Sequence, residues 1–157
     1  MVEVPNGVLG GQVLGIQEIS DRLEIQSLLT AYSTAIDSKD FAALDEIFVE
    51  DAFIDYTAFG GIAGNFPEIK AWLAESLAIF PATQHLIGNL DVRVDGDRGT
   101  GRLMCLNSMV LPGAEQRVAL LGMWYIDEYV RTPQGWRIAR RGQERSWAQG
   151  LELLLQE

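Results

Sequence analysis

Up to about residue 80 the apolar residues recur mostly at helical spacing, and beyond it they alternate. From Ile16 onward Ile19, Leu23, Leu28, Leu29, Tyr32 and Ile36 recur at steps of mostly three to five residues, which predicts a long amphipathic helix. Ser20, Asp21 and Glu24 could supply a capping box, although the apolar pattern allows an earlier start. Ser38-Lys39-Asp40 ends this helix, and Phe41 to Phe48 predicts a second, short one with Phe41, Leu44 and Phe48 on one face. Asp51 to Ala58 alternates as a short strand closed by Gly60-Gly61 and Gly64. Pro67 suits the first turn of a third helix, whose apolar face is Ile69, Trp72, Leu73 and Leu77 and which stops at Pro81.

The period then becomes two. Residues 83–94, 99–111, 118–131 and 135–147 read as four long strands. Their separators, Asp95-Gly96-Asp97, Pro112-Gly113-Ala114 and Thr132-Pro133-Gln134-Gly135, have turn composition. Helices followed by a run of antiparallel strands predict an α+β fold with the helices on one face of the sheet. The short connections place residues 16–147 in one domain, with an irregular arm at 1–15 and a tail at 148–157 whose leucines would suit a helix.

Composition narrows the function classes. A chain of 157 residues and 48% hydrophobic content is one globular domain rather than a disordered segment. The net charge of −10 argues against nucleic acid and anionic membrane surfaces as partners. Thirteen of the 22 acids and three of the 12 bases fall in residues 1–78, so the charge belongs to the helical half. No stretch is long and apolar enough for a membrane helix, and the start lacks the basic region of a secretory signal, so a cytoplasmic location is expected. A single cysteine, Cys105, and a single histidine, His85, leave no disulfide framework and no thiolate or histidine-pair metal motif.

Candidate chemistry lies where polar residues interrupt apolar patterns. Tyr32 sits on the helix face of Leu28, Leu29 and Ile36, and a buried tyrosine keeps its hydroxyl hydrogen-bonded. Asp37 stands at the C-terminal end of that helix, where the dipole disfavours a carboxylate. A plain turn aspartate is the structural alternative. Alternation puts His85 on one strand face with Ile87 and Asn89, and histidine is the residue whose ordinary titration range lies near neutrality. One of Asp55 and Tyr56 should point inward, and Asn107 places an amide between Cys105 and Met109 on an apolar face. The basic cluster Arg137, Arg140, Arg141 and Arg145 suits cross-strand pairing with carboxylates, or an anchor for an anionic substrate group.

These residues resemble, in order and spacing, the nuclear-transport-factor-2-like superfamily in its SnoaL-like, scytalone-dehydratase-like branch. The similar stretches are Ile25 to Tyr32 with Ala35-Ile36-Asp37, Phe41 to Phe48 with Glu50-Asp51-Ala52, Gln84 to Asn89, and Asp127 to Arg131 leading to Gly135-Trp136-Arg137-Ile138. The resemblance implies a cone-shaped, cystatin-like fold in which a curved antiparallel sheet wraps about three N-terminal helices around a deep apolar pocket. Enzymes of this kind need no metal or organic cofactor, so none is expected. Tyr32, Asp37 and His85 match the catalytic residues of the dehydratases, and Tyr56 corresponds to a second pocket tyrosine. The second catalytic histidine of scytalone dehydratase has no counterpart, and Asn107-Ser108 stands where the bile-acid branch carries a carboxylate.

The reading that follows is a cofactor-independent lyase acting on a hydroxylated aromatic or polycyclic small molecule. His85 is its base, oriented by Asp37, and Tyr32 is its hydrogen-bond donor. Tyr56, Asn107 and Trp124 are expected to contact the substrate, and Phe53 or Phe59, Trp72 and Tyr125 would suit a flat ring system. An isomerase using Asp37 as a shuttling base, a polyketide cyclase and a non-catalytic ligand-binding module are the alternatives. The resemblance also implies a homodimer or homotrimer formed through the outer sheet face, consistent with apolar residues on both faces of 118–130.

Overall fold

The computed structural model describes residues 13–151 apart from Ala114 and Gln116. Helix α1 spans Ile16–Asp37 and is followed by a 3₁₀ turn at Phe41–Glu46 and strand β1 at Phe48–Asp55. A 3₁₀ turn at Thr57–Phe59 and the short strand β2, Ala63–Asn65, lead into α2 at Phe66–Ser76. The four long strands are β3 Thr83–Asp95, β4 Arg98–Val110, β5 Val118–Thr132 and β6 Gly135–Gln149. Together they form one six-stranded sheet in the order β2-β1-β6-β5-β4-β3. A helical half folded onto one face of a curved, open sheet is the cone-shaped α+β architecture. No helix among the described residues is long and apolar enough to cross a membrane.

Several expectations change in detail. The sheet is mixed, because β1 pairs with β6 in parallel while its other pairings are antiparallel. The second helix is a 3₁₀ turn, and Phe48 opens β1 instead of closing a helix. The Ile47 carbonyl already accepts the Ile138 amide at 2.8 Å, so pairing with β6 begins before Asp51 and ends helical winding there. Helix α1 starts at Ile16, and Ser20 makes an i,i+4 bond to Glu24 inside it at 3.1 Å, so there is no capping box at Ser20. The capping contact is instead in α2, where the Glu68 carboxylate accepts the Asn65 amide at 3.1 Å beside Pro67.

The buried face of α1 is Ile25, Leu28, Leu29, Tyr32, Ala35 and Ile36, while Ile19 and Leu23 are exposed. Its first inward position is Asp21, buried, which accepts hydrogen bonds from Gln17 and Trp136 and a salt bridge from Arg131. Burial opposes ionisation of Asp21, but these donors outweigh it and hold the carboxyl below its ordinary range. They fasten the start of α1 to the β5–β6 hairpin. The opposite end of α1, carrying Tyr32 and Asp37, is thereby laid along β3. Of the arm at 1–15 only residues 13–15 are described, and the leucine-rich tail beyond Leu151 lies outside the described residues.

Candidate functional site

The C-terminus of α1 delivers Asp37 to the start of β3, and its carboxylate is fully engaged there. The ring Nδ1 of His85 lies 2.7 Å from Oδ1, the His85 amide donates to Oδ2 at 2.8 Å, and the Thr83 hydroxyl donates to Oδ1 at 3.0 Å. Burial works against the charged form of Asp37, but the donors from His85 and Thr83 prevail and lower its carboxyl below the ordinary range. An ionised Asp37 makes Nδ1 the protonated nitrogen of neutral His85, which leaves Nε2 as its basic atom. His85 and Ile87 share the inward face as alternation predicts. Asn89 does not: a register shift between Gly88 and Asp91 leaves it exposed at φ 47°.

A cavity of about 230 Å³ opens beside this dyad between α1, α2 and the sheet. His85, Tyr32, Tyr56 and Asn107 all line it, as do Phe59, Trp72, Met123 and Tyr125. The hydroxyls of Tyr32 and Tyr56 are 2.9 Å apart, so one of them donates to the other and the pair presents a donor to any ligand oxygen. Tyr56 therefore takes the inward position, while Asp55 accepts the amide and hydroxyl of Thr57 at 2.9 and 2.6 Å. Asn107 stands directly across from His85 in the β3–β4 register and is 7% exposed. Its Oδ1 is buried without a hydrogen-bond partner among the described residues, a costly state that a ligand donor would relieve.

Trp124 is not part of this site. On β5 the inward positions are Leu121, Met123, Tyr125, Asp127 and Tyr129, so Trp124 lies on the outer face under the Arg102 guanidinium, 3.8 Å from its ring centre. Tyr125 occupies the inward place. Phe53 is likewise on the outer side, half-exposed and 5.0 Å from Arg140. The cavity thus takes Phe59, Trp72 and Tyr125 from the expected aromatic set.

Beneath the tyrosines lies an ion pair that sequence reasoning did not locate. Arg141 is completely buried and forks onto Asp127 at 2.8 and 2.6 Å. Its guanidinium lies 4.1 Å from the ring centre of Tyr32 and 4.2 Å from that of Tyr125, a cation held against two π faces. Asp127 also accepts the Tyr129 hydroxyl at 2.9 Å. Gly101 makes room for that ring, since a Cβ there would come within 2.8 Å of the hydroxyl. Burial raises the phenols of Tyr56 and Tyr125 well above their ordinary range despite Arg141, so both stay protonated as donors. Cys105 is also buried, and its thiol is pushed up to about 11, which makes it a packing residue rather than a nucleophile.

Comparison with known proteins bears on the family and the fold. The SnoaL-like domain family matches residues 17–142. The chain is 54% identical over 134 residues to the uncharacterized protein Rv2910c of Mycobacterium tuberculosis, covering 85% of this chain and 91% of that one. Among solved structures, a candidate scytalone dehydratase from Novosphingobium aromaticivorans superposes with a TM-score of 0.74 at 21% identity, covering 83% of this chain and 87% of that one. A hexachlorocyclohexane dehydrochlorinase from Novosphingobium barchaimii superposes with a TM-score of 0.71 at 21% identity, covering 85% and 91%. At these identities the two structures establish the shared fold.

Proposed function

The chain belongs to the SnoaL-like domain family, and we propose that within it this protein is an elimination lyase for a hydroxylated aromatic or polycyclic small molecule. The observation that carries the proposal is the His85–Asp37 pair at 2.7 Å, facing a cavity that also holds the Tyr32–Tyr56 hydroxyl pair. The chemistry calls on side chains alone. Nε2 of His85 removes a proton from the carbon next to the leaving group, the C–H electron pair becomes a carbon–carbon double bond, and the C–O pair departs with the hydroxyl. Tyr32 and Tyr56 hydrogen-bond the oxygen on which charge develops, and the imidazolium returns its proton to it, releasing water and regenerating neutral His85. Because burial keeps Tyr56 protonated, the tyrosine pair polarises the leaving oxygen while the histidine carries the proton. The same groups would serve a retro-aldol cleavage, in which His85 takes the proton of a hydroxyl, the adjacent carbon–carbon bond breaks to expel a small aldehyde, and the imidazolium protonates the carbanion left behind.

The names of two fold neighbours, a candidate scytalone dehydratase and a dehydrochlorinase, are in keeping with the proposal. Both oxygens of Asp37 are occupied, which favours an orienting role over the shuttling base an isomerase or cyclase would require. The unpartnered Asn107 Oδ1 favours a substrate that brings a second hydroxyl donor.

The test is turnover of candidate hydroxylated aromatics followed by mass. Loss of water or of an aldehyde supports the lyase, and an unchanged mass identifies an isomerase. His85→Ala and Asp37→Ala are each expected to lose about 10²-fold or more in kcat while remaining folded. Undiminished activity in both sinks the proposal, and tight ligand binding with no turnover assigns the chain to the non-catalytic binders.

A further inference from the structure

The four arginines of β6 have different surroundings. Arg137 pairs with Glu46 at 2.8 Å, Arg141 with Asp127, and Arg140 lies over Phe53 close enough to Asp55 to favour its ionised form. Arg145 is exposed, and no carboxylate among the described residues lies within 4.0 Å of it. Its neighbour Glu144 is committed to Arg102 at 3.0 Å. Arg145 is nevertheless not an outer-surface residue. It stands opposite Met123 in the β5–β6 register, as Gln143 stands opposite Tyr125, and all three of those neighbours line the cavity. Its guanidinium is 5.3 Å from the ring centre of Phe59, another cavity residue.

We propose that Arg145 is an anion anchor at the cavity rim, and that the substrate is a hydroxylated aromatic or polycyclic acid whose carboxylate it binds. This rests on the reading of the cavity as the substrate site. A carboxylate cannot be carried among Phe59, Trp72 and Met123 without a partner, because burying an unpaired charge is prohibitive, so an acid must enter with its charged end at the rim. His85 and Arg145 are three strands apart, about 14 Å across the sheet, and two residues apart in register, which calls for an elongated acid. Arginine also presents a planar fork matched to a carboxylate, and Phe59 holds it in place through its ring face. In a chain of net charge −10, an inward-facing arginine with no carboxylate partner among the described residues makes the rim a local exception to the prevailing field.

The experiment is titration calorimetry with 2-naphthoate and its neutral analogue 2-naphthamide, which requires no turnover and so stands apart from the lyase assay. The wild-type protein is expected to bind naphthoate at least about fivefold more tightly than naphthamide at low ionic strength, with added salt eroding the preference. Arg145→Gln should abolish the preference while leaving naphthamide affinity within about twofold, and Arg145→Lys should restore part of it. Equal affinities in the wild type, or equal weakening of both compounds in Arg145→Gln, overturns the anchor. Binding of neither compound overturns the anchor together with the cavity it depends on. A retained preference in a protein with no lyase activity upholds the anchor and sinks only the elimination chemistry.

Discussion

Asp37 shows how one residue joins stability to chemistry. Its carboxylate accepts three hydrogen bonds, from Thr83 and from the amide and ring of His85, and these lower its pKa in the folded state despite the cost of burial. The unfolded chain holds it near the ordinary value of about 3.9. A group depressed on folding contributes stability that is fully present above the unfolded value and is lost as pH falls through the folded one. Asp37→Asn should therefore cost on the order of 1–3 kcal/mol at pH 7, the scale of hydrogen bonds to a charged group. The deficit relative to wild type should shrink as pH is lowered below about 4. Denaturant unfolding of both proteins at neutral and acidic pH measures this, and a deficit independent of pH would show that the charge of Asp37 is not what holds the dyad.

At the level of elements, the β5–β6 hairpin explains what was legible in the sequence and what was not. Alternation and turn composition located all four long strands, and the helical spacing located Tyr32 on the inward face of α1. Convergence of Tyr32, Asp37 and His85 was suggested only by family resemblance, since residues 48 apart carry no spacing signal of a contact. The Arg141–Asp127 pair was hidden by one residue. Counting back from Thr132 opposite Gly135, Asp127 should face Arg140, but a bulge between Ile138 and Arg140 moves its partner to Arg141. Such a bulge turns over every inward position beyond it, and its place depends on tertiary packing. Trp124 failed for the mirror-image reason: β5 is apolar on both faces, so the pattern alone could not choose between Trp124 and Tyr125. The buried pair also makes a prediction. Arg141→Met strands the Asp127 charge and should destabilise by about 3–5 kcal/mol, whereas Arg141→Met with Asp127→Leu should recover much of that loss in thermal unfolding. If the double variant is no better than the single, the cation's contact with Tyr32 and Tyr125 outweighs the ion pair.

Across the whole molecule the two faces of the sheet have unlike fates. The inner face closes over the cavity and the core, and the half of the chain that supplies the covering helices, residues 1–78, holds 13 of the 22 acids. Among the described residues the outer face has no helix upon it. It carries Trp124 beneath Arg102, Leu86 at 63% exposure, and Trp147, which lies flat over Gly122 at 47% exposure. Met104 and Ile126 on the same face are more than a third exposed. Isolated exposed apolar residues are ordinary, but a contiguous set across β3, β4, β5 and β6 is the kind of surface that association buries. Helix packing has already satisfied the inner face, so a second copy is the partner that the family resemblance and this surface together favour. The protein is expected to scatter light as a dimer or trimer at micromolar concentration. Trp147→Glu combined with Leu86→Glu should shift it toward monomer, because each carboxylate would have to be desolvated in the interface. Both side chains point away from the cavity, so 2-naphthoate binding should persist in the dissociated variant. A wild-type monomer would remove the outer face as an interface. Dissociation accompanied by loss of binding would instead show that the cavity depends on the neighbouring subunit.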